Sequence, residues 1–294
     1  MRKTLKKITC GILAAISVFG CAATLTACET SHPEVEMKVE FNGETYTLAY
    51  KLYRKVAPQT VEHFLWLADN GYYDGLCVHD YDSEASRFYT GAYSLAEAED
   101  DADGFVYKKY YETIAGYKNY GDFPVSVWME QDKKTPTYTL KGEFKDNNFR
   151  VESGALKETF GSLTMYYYGI DSEEVAEQKV YMIRADGKDP SKCDYQYNYT
   201  TSMFYISLST TTKTNTAYCT FATLQEDSKS VLEGLQADLN EYIEEHYSDE
   251  NPFTENKAVT ICEDDPFLGE HSVAEVFSVP KAPIVIKKVK VTKF

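Results

Sequence analysis

From Glu36 onward apolar and polar residues alternate: EMKVEF is followed by Asn42-Gly43 and then by ETYTLAYKLY, in which Tyr46, Leu48, Tyr50 and Leu52 share one face. Successive side chains of a strand point to opposite faces, so this pattern predicts two half-buried strands. Asn-Gly between them is the strongest short signal for a two-residue hairpin. The period changes at Pro58. Val61, Phe64, Leu65 and Ala68 recur at helical spacing over 58–70, with Pro58 suited to the first turn and Gly71 to the stop. A second helix is predicted over 230–247, where Ser230 and Glu233 have capping-box spacing and Val231, Leu235, Leu239, Tyr242 and Ile243 form the apolar stripe. The chain closes on a strand, Pro283 followed by IVIKKVKV. Two stretches have the look of insertions, about 94–138 (acidic, then Tyr-rich) and about 170–199 (polar and charged), and a third polar loop is expected over about 248–280. No internal repeat is visible. Short strands with two dependable helices predict one mainly β domain over 36–294, decorated by these insertions.

The first 27 residues change the picture of where the chain works. A basic stretch through Lys7, an apolar run of about 15 residues and then small residues describe a secretory signal. Its end, Leu25-Thr26-Ala27-Cys28, resembles the lipobox of bacterial lipoproteins, in which the cysteine is diacylated and becomes the first mature residue; the alternative is an ordinary cleaved signal with a chance cysteine. Two acyl chains anchor stably where one does so marginally. The resemblance implies a tether over 28–35 and a protein held by lipid on Cys28 to the outer face of a bacterial cytoplasmic membrane. No later stretch is long enough to cross a bilayer.

Composition narrows the function. The 294 residues carry 46 Asp and Glu against 30 Lys and Arg; four of those cations lie in the signal, which leaves 26 against 46, a net charge of −20. Such a charge repels phosphates, so nucleic acid is excluded as a partner. Only five His are present and no CxxC pair, which leaves zinc and thioredoxin chemistry unsupported and predicts neither metal nor cofactor. Cys77, Cys193, Cys219 and Cys262 allow one or two disulfides that sequence does not assign. Glu99 to Gly104 imitates the start of an EF-hand loop, but position 12 is Tyr110, so it reads as a solvated acidic loop. Asn198-Tyr199-Thr200 is a sequon without expected meaning in a bacterial lipoprotein, and no GxSxG elbow exists. The 25 tyrosines exceed what a core needs. Tyr107, Tyr110, Tyr111, Tyr117 and Tyr120 suit either stacking on sugars or peptides, or packing of the insertion.

The hairpin, the helix Ala57-Pro58-Gln59-Thr60-Val61-Glu62-His63-Phe64-Leu65-Trp66-Leu67 and the turn Gly71-Tyr72-Tyr73-Asp74-Gly75 resemble the opening of the cyclophilins, a family of peptidyl-prolyl cis-trans isomerases. The resemblance continues in order through Lys141 to Phe144 (KGEF), Leu156 to Met165 (LKETFGSLTM), Thr201 to Ile206 (TSMFYI) and Tyr218 to Ala222 (YCTFA). It implies an eight-stranded antiparallel barrel closed by two helices.

The site carried over by this resemblance departs from the family's pattern. Cyclophilins present an arginine to the prolyl nitrogen; here the His-Arg pair matches His79-Asp80, and a carboxylate has no proton to donate at neutral pH. His79 reads as a strand residue with nothing to activate. The family's FMxQGG matches Arg87 to Ala92, which puts Thr90 at the Gln position and Phe88 in the substrate pocket. Tyr205 matches the pocket floor, Tyr218 the pocket edge, and Met203 stands where the family strand has Gln. Lys213-Thr214 replaces an apolar wall. Arg87 is either a substitute for the missing guanidinium or a cation paired with nearby acids, and Phe88 and Tyr205 are pocket lining or plain barrel packing. Collinearity predicts that Asp80 lies on a barrel strand beside Tyr205 and Thr90, at the mouth of a shallow groove. The implied function is a prolyl isomerase of the cell envelope, weak or inactive through Asp80, acting on proline-containing or extended segments of envelope proteins. The alternatives are a non-enzymatic peptide-binding chaperone and an adhesive or glycan-binding surface lipoprotein.

Overall fold

The computed structural model describes residues 30–95, 105–147, 149, 155–167, 179–182, 190–194, 199–261 and 273–294. The signal segment, Cys28, the Glu99–Gly104 loop, Asn198, Cys262 and most of 170–199 therefore lie outside the described residues.

Strands β1 (Glu34–Phe41) and β2 (Glu44–Leu52) pair from Glu34 opposite Lys51 to Phe41 opposite Glu44. The turn between them places Asn42 at φ 48° and Gly43 at φ 82°, the left-handed conformations that a two-residue hairpin requires and that Asn and Gly tolerate. Alternate residues Val35, Met37, Val39 and Phe41 are buried, as the pattern predicted.

Around this hairpin an antiparallel sheet curls. The remaining barrel strands are β3 (Leu76–Cys77), β4 (Asp80–Asp82), β5 (Arg87–Thr90), β6 (Leu163–Met165), β7 (Phe204–Ser207), β8 (Cys219–Leu224) and, at the C-terminus, the strand Ile284–Lys293. In space these nine run β4, β5, β7, β6, β8, β2, β1, Ile284–Lys293, β3, and beyond β3 the sheet continues through the short strands Tyr93–Leu95 and Phe105–Tyr107. The two ends of the order of nine are consecutive in the chain: Val78 N donates to Ile284 O at 2.8 Å, and His79 N to Tyr89 O at 3.0 Å. With β3 and β4 taken as one run, eight of these strands curl around the core, the mainly β architecture expected from the resemblance, although among the described residues three helices rather than two accompany the sheet.

Helix α1 (Pro58–Asp69) buries Val61, Phe64, Leu65, Leu67 and Ala68. Phe64 packs on Phe204 and Phe221 with ring centroids 5.5 and 5.0 Å away, and burying such a ring contributes about 1.5–3 kcal/mol. No side chain of α1 caps its start. Instead the buried carboxylate of Glu143 accepts from Gln59 N (3.1 Å) and Thr60 N (2.8 Å), which ties the KGEF segment to the helix N-terminus.

Three sequence expectations need correction. The long helix, α3 (Glu226–His246), starts a turn earlier than Ser230; Ser228 is buried and its Oγ accepts from Ala49 N, and Leu232 joins Leu235 and Leu239 in the buried stripe while Val231 is only partly covered. The Tyr-rich stretch, expected as an insertion without a helix, contains α2 (Tyr110–Gly116); of the two readings of its tyrosines, packing holds for Tyr110, which is buried, lies 3.0 Å from His63 Nε2 and donates to Tyr138 O at 2.6 Å. Finally, 248–280 holds a long hairpin, β9 (Thr254–Ile261) with β10 (Val273–Pro280), paired across eight residues a side; the C-terminal strand is β11 (Ile284–Lys293). Glu255, Lys257 and Glu275 on it read as loop polarity, but a hairpin lying on a barrel needs only one apolar face, supplied here by Phe277 and Val279.

Candidate functional site

The register of three neighbouring strands lines up the face on which the carried-over residues fall. Asp80 is opposite Tyr89, Tyr89 opposite Tyr205, and Tyr205 opposite Thr164 on β6. Residues directly opposite one another share a face, so Asp80 and Tyr205 do lie on one side of the barrel. Thr90 does not join them. It is buried, and its Oγ1 donates to Cys77 O at 2.8 Å, because a shift of one residue along a strand reverses the side chain. Tyr89 occupies the place expected for Thr90. Phe88 is likewise turned inward, in the main core with its ring 5.2 Å from Tyr81.

Gly91 fixes how closely β5 approaches β7. Its φ is +100°, and a Cβ there would stand 2.5 Å from Ser202 O; Ser202 Oγ in turn donates to Gly91 O at 2.6 Å.

At the centre of the face lies a charged cluster that sequence did not reveal. Glu158 is 1% exposed and receives Arg87 through Nη2 (3.1 and 3.2 Å) and Nε (3.3 Å). Tyr205 Oη donates to the same carboxylate at 2.9 Å. Asn215 Nδ2 donates to Tyr205 Oη (3.0 Å) and Glu158 Oε2 (3.3 Å), and its Oδ1 accepts from Ala217 N and Tyr218 N. Burial pushes the Tyr205 hydroxyl well above its ordinary value, so it stays protonated and donating. The Arg87 guanidinium lies over the Tyr205 ring, 4.3 Å from its centroid. Arg87 is thus paired with an acid, and it covers the residue expected to form the pocket floor. Lys213 and Thr214 are exposed and wall nothing; Lys213 instead exchanges two backbone hydrogen bonds with Glu158.

From the buried Tyr205 an aromatic band runs outward to the half-buried Tyr166, Tyr218 and Tyr167. Tyr166 lies 4.7 Å from Tyr89 and 5.3 Å from Tyr218, Tyr218 lies 5.2 Å from Tyr167, and Tyr167 stacks on Phe144 at 6.0 Å. The band ends at a cleft of about 210 Å³ lined by Val56, Phe144, Phe149, Leu156 and Tyr218.

At the opposite end the face is covered. Asp80 Oδ1 accepts from Ser278 N on β10 at 2.9 Å. Burial, with Asp82 and Glu275 nearby, pushes the Asp80 carboxyl up, against the pull of the Ser278 hydrogen bond. Met203 is 9% exposed and packs with Phe277 and Val279. His79 is buried between the rings of Tyr93 and Phe277, each 5.0 Å away, and burial lowers its pKa to about 3, so it is a neutral wall residue. Among the described residues no three or more His, Cys, Asp or Glu side chains gather as a metal site.

The fold is thus a mainly β, curled antiparallel sheet carrying an aromatic face with one buried ion pair. No family model matches the chain. Over 44 residues it is 43% identical to putative peptidyl-prolyl cis-trans isomerases of Staphylococcus aureus (strain USA300) and Staphylococcus haemolyticus (strain JCSC1435), a stretch that covers 15% of this chain and 22% of each relative. The match thus spans about a fifth of the length of these curated relatives. Among solved structures it is similar to a cyclophilin type peptidyl-prolyl cis-trans isomerase of Cryptosporidium parvum, at 15% identity and a TM-score of 0.42, over 90% of this chain and 99% of that one. A second structure, of that protein in the presence of the dipeptide Ala-Pro, has a TM-score of 0.40 at 15% identity, over 89% of this chain and 99% of that one. The staphylococcal relatives are named as putative peptidyl-prolyl cis-trans isomerases and the Cryptosporidium structures as a cyclophilin type peptidyl-prolyl cis-trans isomerase.

Proposed function

We propose that this chain is a cyclophilin-like protein of the bacterial cell envelope that holds proline-containing or extended peptide segments, with prolyl isomerase activity that is weak or absent. The observation that carries this reading is the position of Arg87, spread over the Tyr205 ring and bound to Glu158. Rotation about a peptide bond faces a barrier of about 18–20 kcal/mol, and an oriented donor to the prolyl nitrogen lowers it by weakening the partial double bond. Asp80 has no proton to give. For Arg87 to serve it would have to leave Glu158, stranding a buried carboxylate at a cost of about 3–5 kcal/mol. An oriented donor returns about 2.7–4 kcal/mol, so the exchange yields little. Binding is better supported than catalysis: Tyr166, Tyr167 and Tyr218 are half-buried and offer ring edges beside a cleft of about 210 Å³ that can take an apolar side chain. Titration with a proline-containing peptide tests it, and Tyr218→Ala is expected to weaken binding about tenfold, roughly 1.4 kcal/mol. An unchanged affinity would move the site elsewhere. The packing of Tyr110 into the insertion gives a glycan-binding reading no comparable support.

The envelope location rests on the signal and on Cys28. Replacing Cys28 with Ala is expected to shift the protein from the membrane fraction to the soluble one, since among the described residues no helix is long and apolar enough to cross a membrane. Membrane retention of that variant would contradict acylation as the anchor.

A further inference from the structure

The β9–β10 hairpin belongs to a separate two-stranded sheet, yet it lies against the face just described. Among the described residues it makes no ladder with the barrel. It is held there by Ser278 N on Asp80 Oδ1 and by Phe277 and Val279, whose side chains enter a small cluster with Cys77, Ala92, Tyr93 and Met203. Asp80 and Met203 are thus the two site positions it covers. The attachment also carries a weakness, because Glu275 on β10 sits close enough to Asp80 to raise its pKa by like-charge repulsion. On its outer side the hairpin exposes Val276 to 63%. At its base, Lys281 N bonds Phe253 O at 2.9 Å, and the chain then runs directly into β11.

We infer that this hairpin is an intramolecular cover over the Asp80–Met203 end of the peptide face, and that a bound peptide and the docked hairpin exclude one another. The inference rests on the peptide-binding reading given above. An extended segment lying across the half-buried Tyr166 and continuing toward Asp80 would meet the hairpin at Phe277 and Ser278. The partner that completes the site is therefore a piece of this same chain, and occupancy by an outside peptide requires its release. Ser278 is well placed for a test, because its N–H points at Asp80 rather than into the β9 ladder; Ser278→Pro removes the docking bond and leaves the hairpin's own pairing.

The experiment compares the full chain with Phe277→Ala and with Ser278→Pro, by amide hydrogen exchange over 254–261 and 273–280 and by titration with an Ala-Pro-containing tetrapeptide. Release of the cover predicts faster exchange in the hairpin and at least fivefold tighter peptide binding in both variants. Should Phe277→Ala fail to fold, Ser278→Pro decides alone. Faster exchange with affinity unchanged or reduced overturns the inference and leaves the peptide-binding reading standing. Exchange as slow as wild type in both variants also overturns it, since these contacts would then not be what holds the hairpin down. Absence of binding by the wild type and by the opened variants alike removes both.

Discussion

Lowering the pH from 7 to 5 is expected to destabilise the protein by about 4 kcal/mol, through two histidines that the fold keeps neutral. His63 and His79 are fully buried, and burial lowers each pKa to about 3, offset slightly in His63 by the Thr201 backbone carbonyl, which accepts from the ring. In the unfolded chain both titrate near their ordinary value of about 6.5. Between those values the unfolded state binds protons that the native state refuses, so stability that is complete above pH 6.5 is lost as the pH falls toward 3. At pH 5 the loss is about 2 kcal/mol for each ring. Asp80 and Glu143, whose carboxyls burial pushes up, act in the opposite sense, gaining stability as the pH falls through the carboxylate range. Urea unfolding at pH 7, 6 and 5 measures the slope, and His79→Leu should remove about half of it. A flat profile over that range would show that neither ring is held neutral.

Glu158→Ala is expected to lower stability by about 3 kcal/mol, the scale of an unpaired buried charge. For a domain of this size that is a fall in Tm of roughly 6–12 °C. The carboxylate collects Arg87, Tyr205 Oη and Asn215 Nδ2, so its removal leaves a stacked guanidinium and a buried phenol without their acceptor. Arg87 retains 17% side-chain exposure, which places the estimate at the lower end of the range for fully buried pairs. The double substitution Arg87→Met with Glu158→Leu removes both charges together and should recover most of the loss. A single Glu158→Ala costing under about 1 kcal/mol would show that the cluster is hydrated and weak.

The hairpin β1–β2, helix α1 and strand β11 were legible because each obeys one period over eight or more residues, bounded by Asn-Gly, Pro or Gly. The resemblance motifs likewise located β5 to β8. The site was legible only in part, for reasons of geometry. Arg87 and Glu158 are 71 residues apart in sequence, and only the order β5, β7, β6 brings them together. Glu158 stood in the quoted LKETFGSLTM segment with no local signal of its role. Thr90 and Tyr89 differ by one position along a strand, which is enough to exchange core and surface. The β9–β10 hairpin escaped notice because its polar face dominates the composition of 248–280, and pairing of distant strands leaves no mark in local propensity.

The central claim is that the catalytic arrangement of a prolyl isomerase is absent from a face that still holds peptide. It is tested most directly by the cis-trans exchange rate of a proline peptide, measured with the wild type and with Arg87→Ala. The account predicts a wild-type rate at or near the uncatalysed one, and no further fall on Arg87→Ala. Robust wild-type turnover that disappears in Arg87→Ala would contradict it, showing that Arg87 leaves Glu158 during the reaction and supplies the donor that Asp80 lacks.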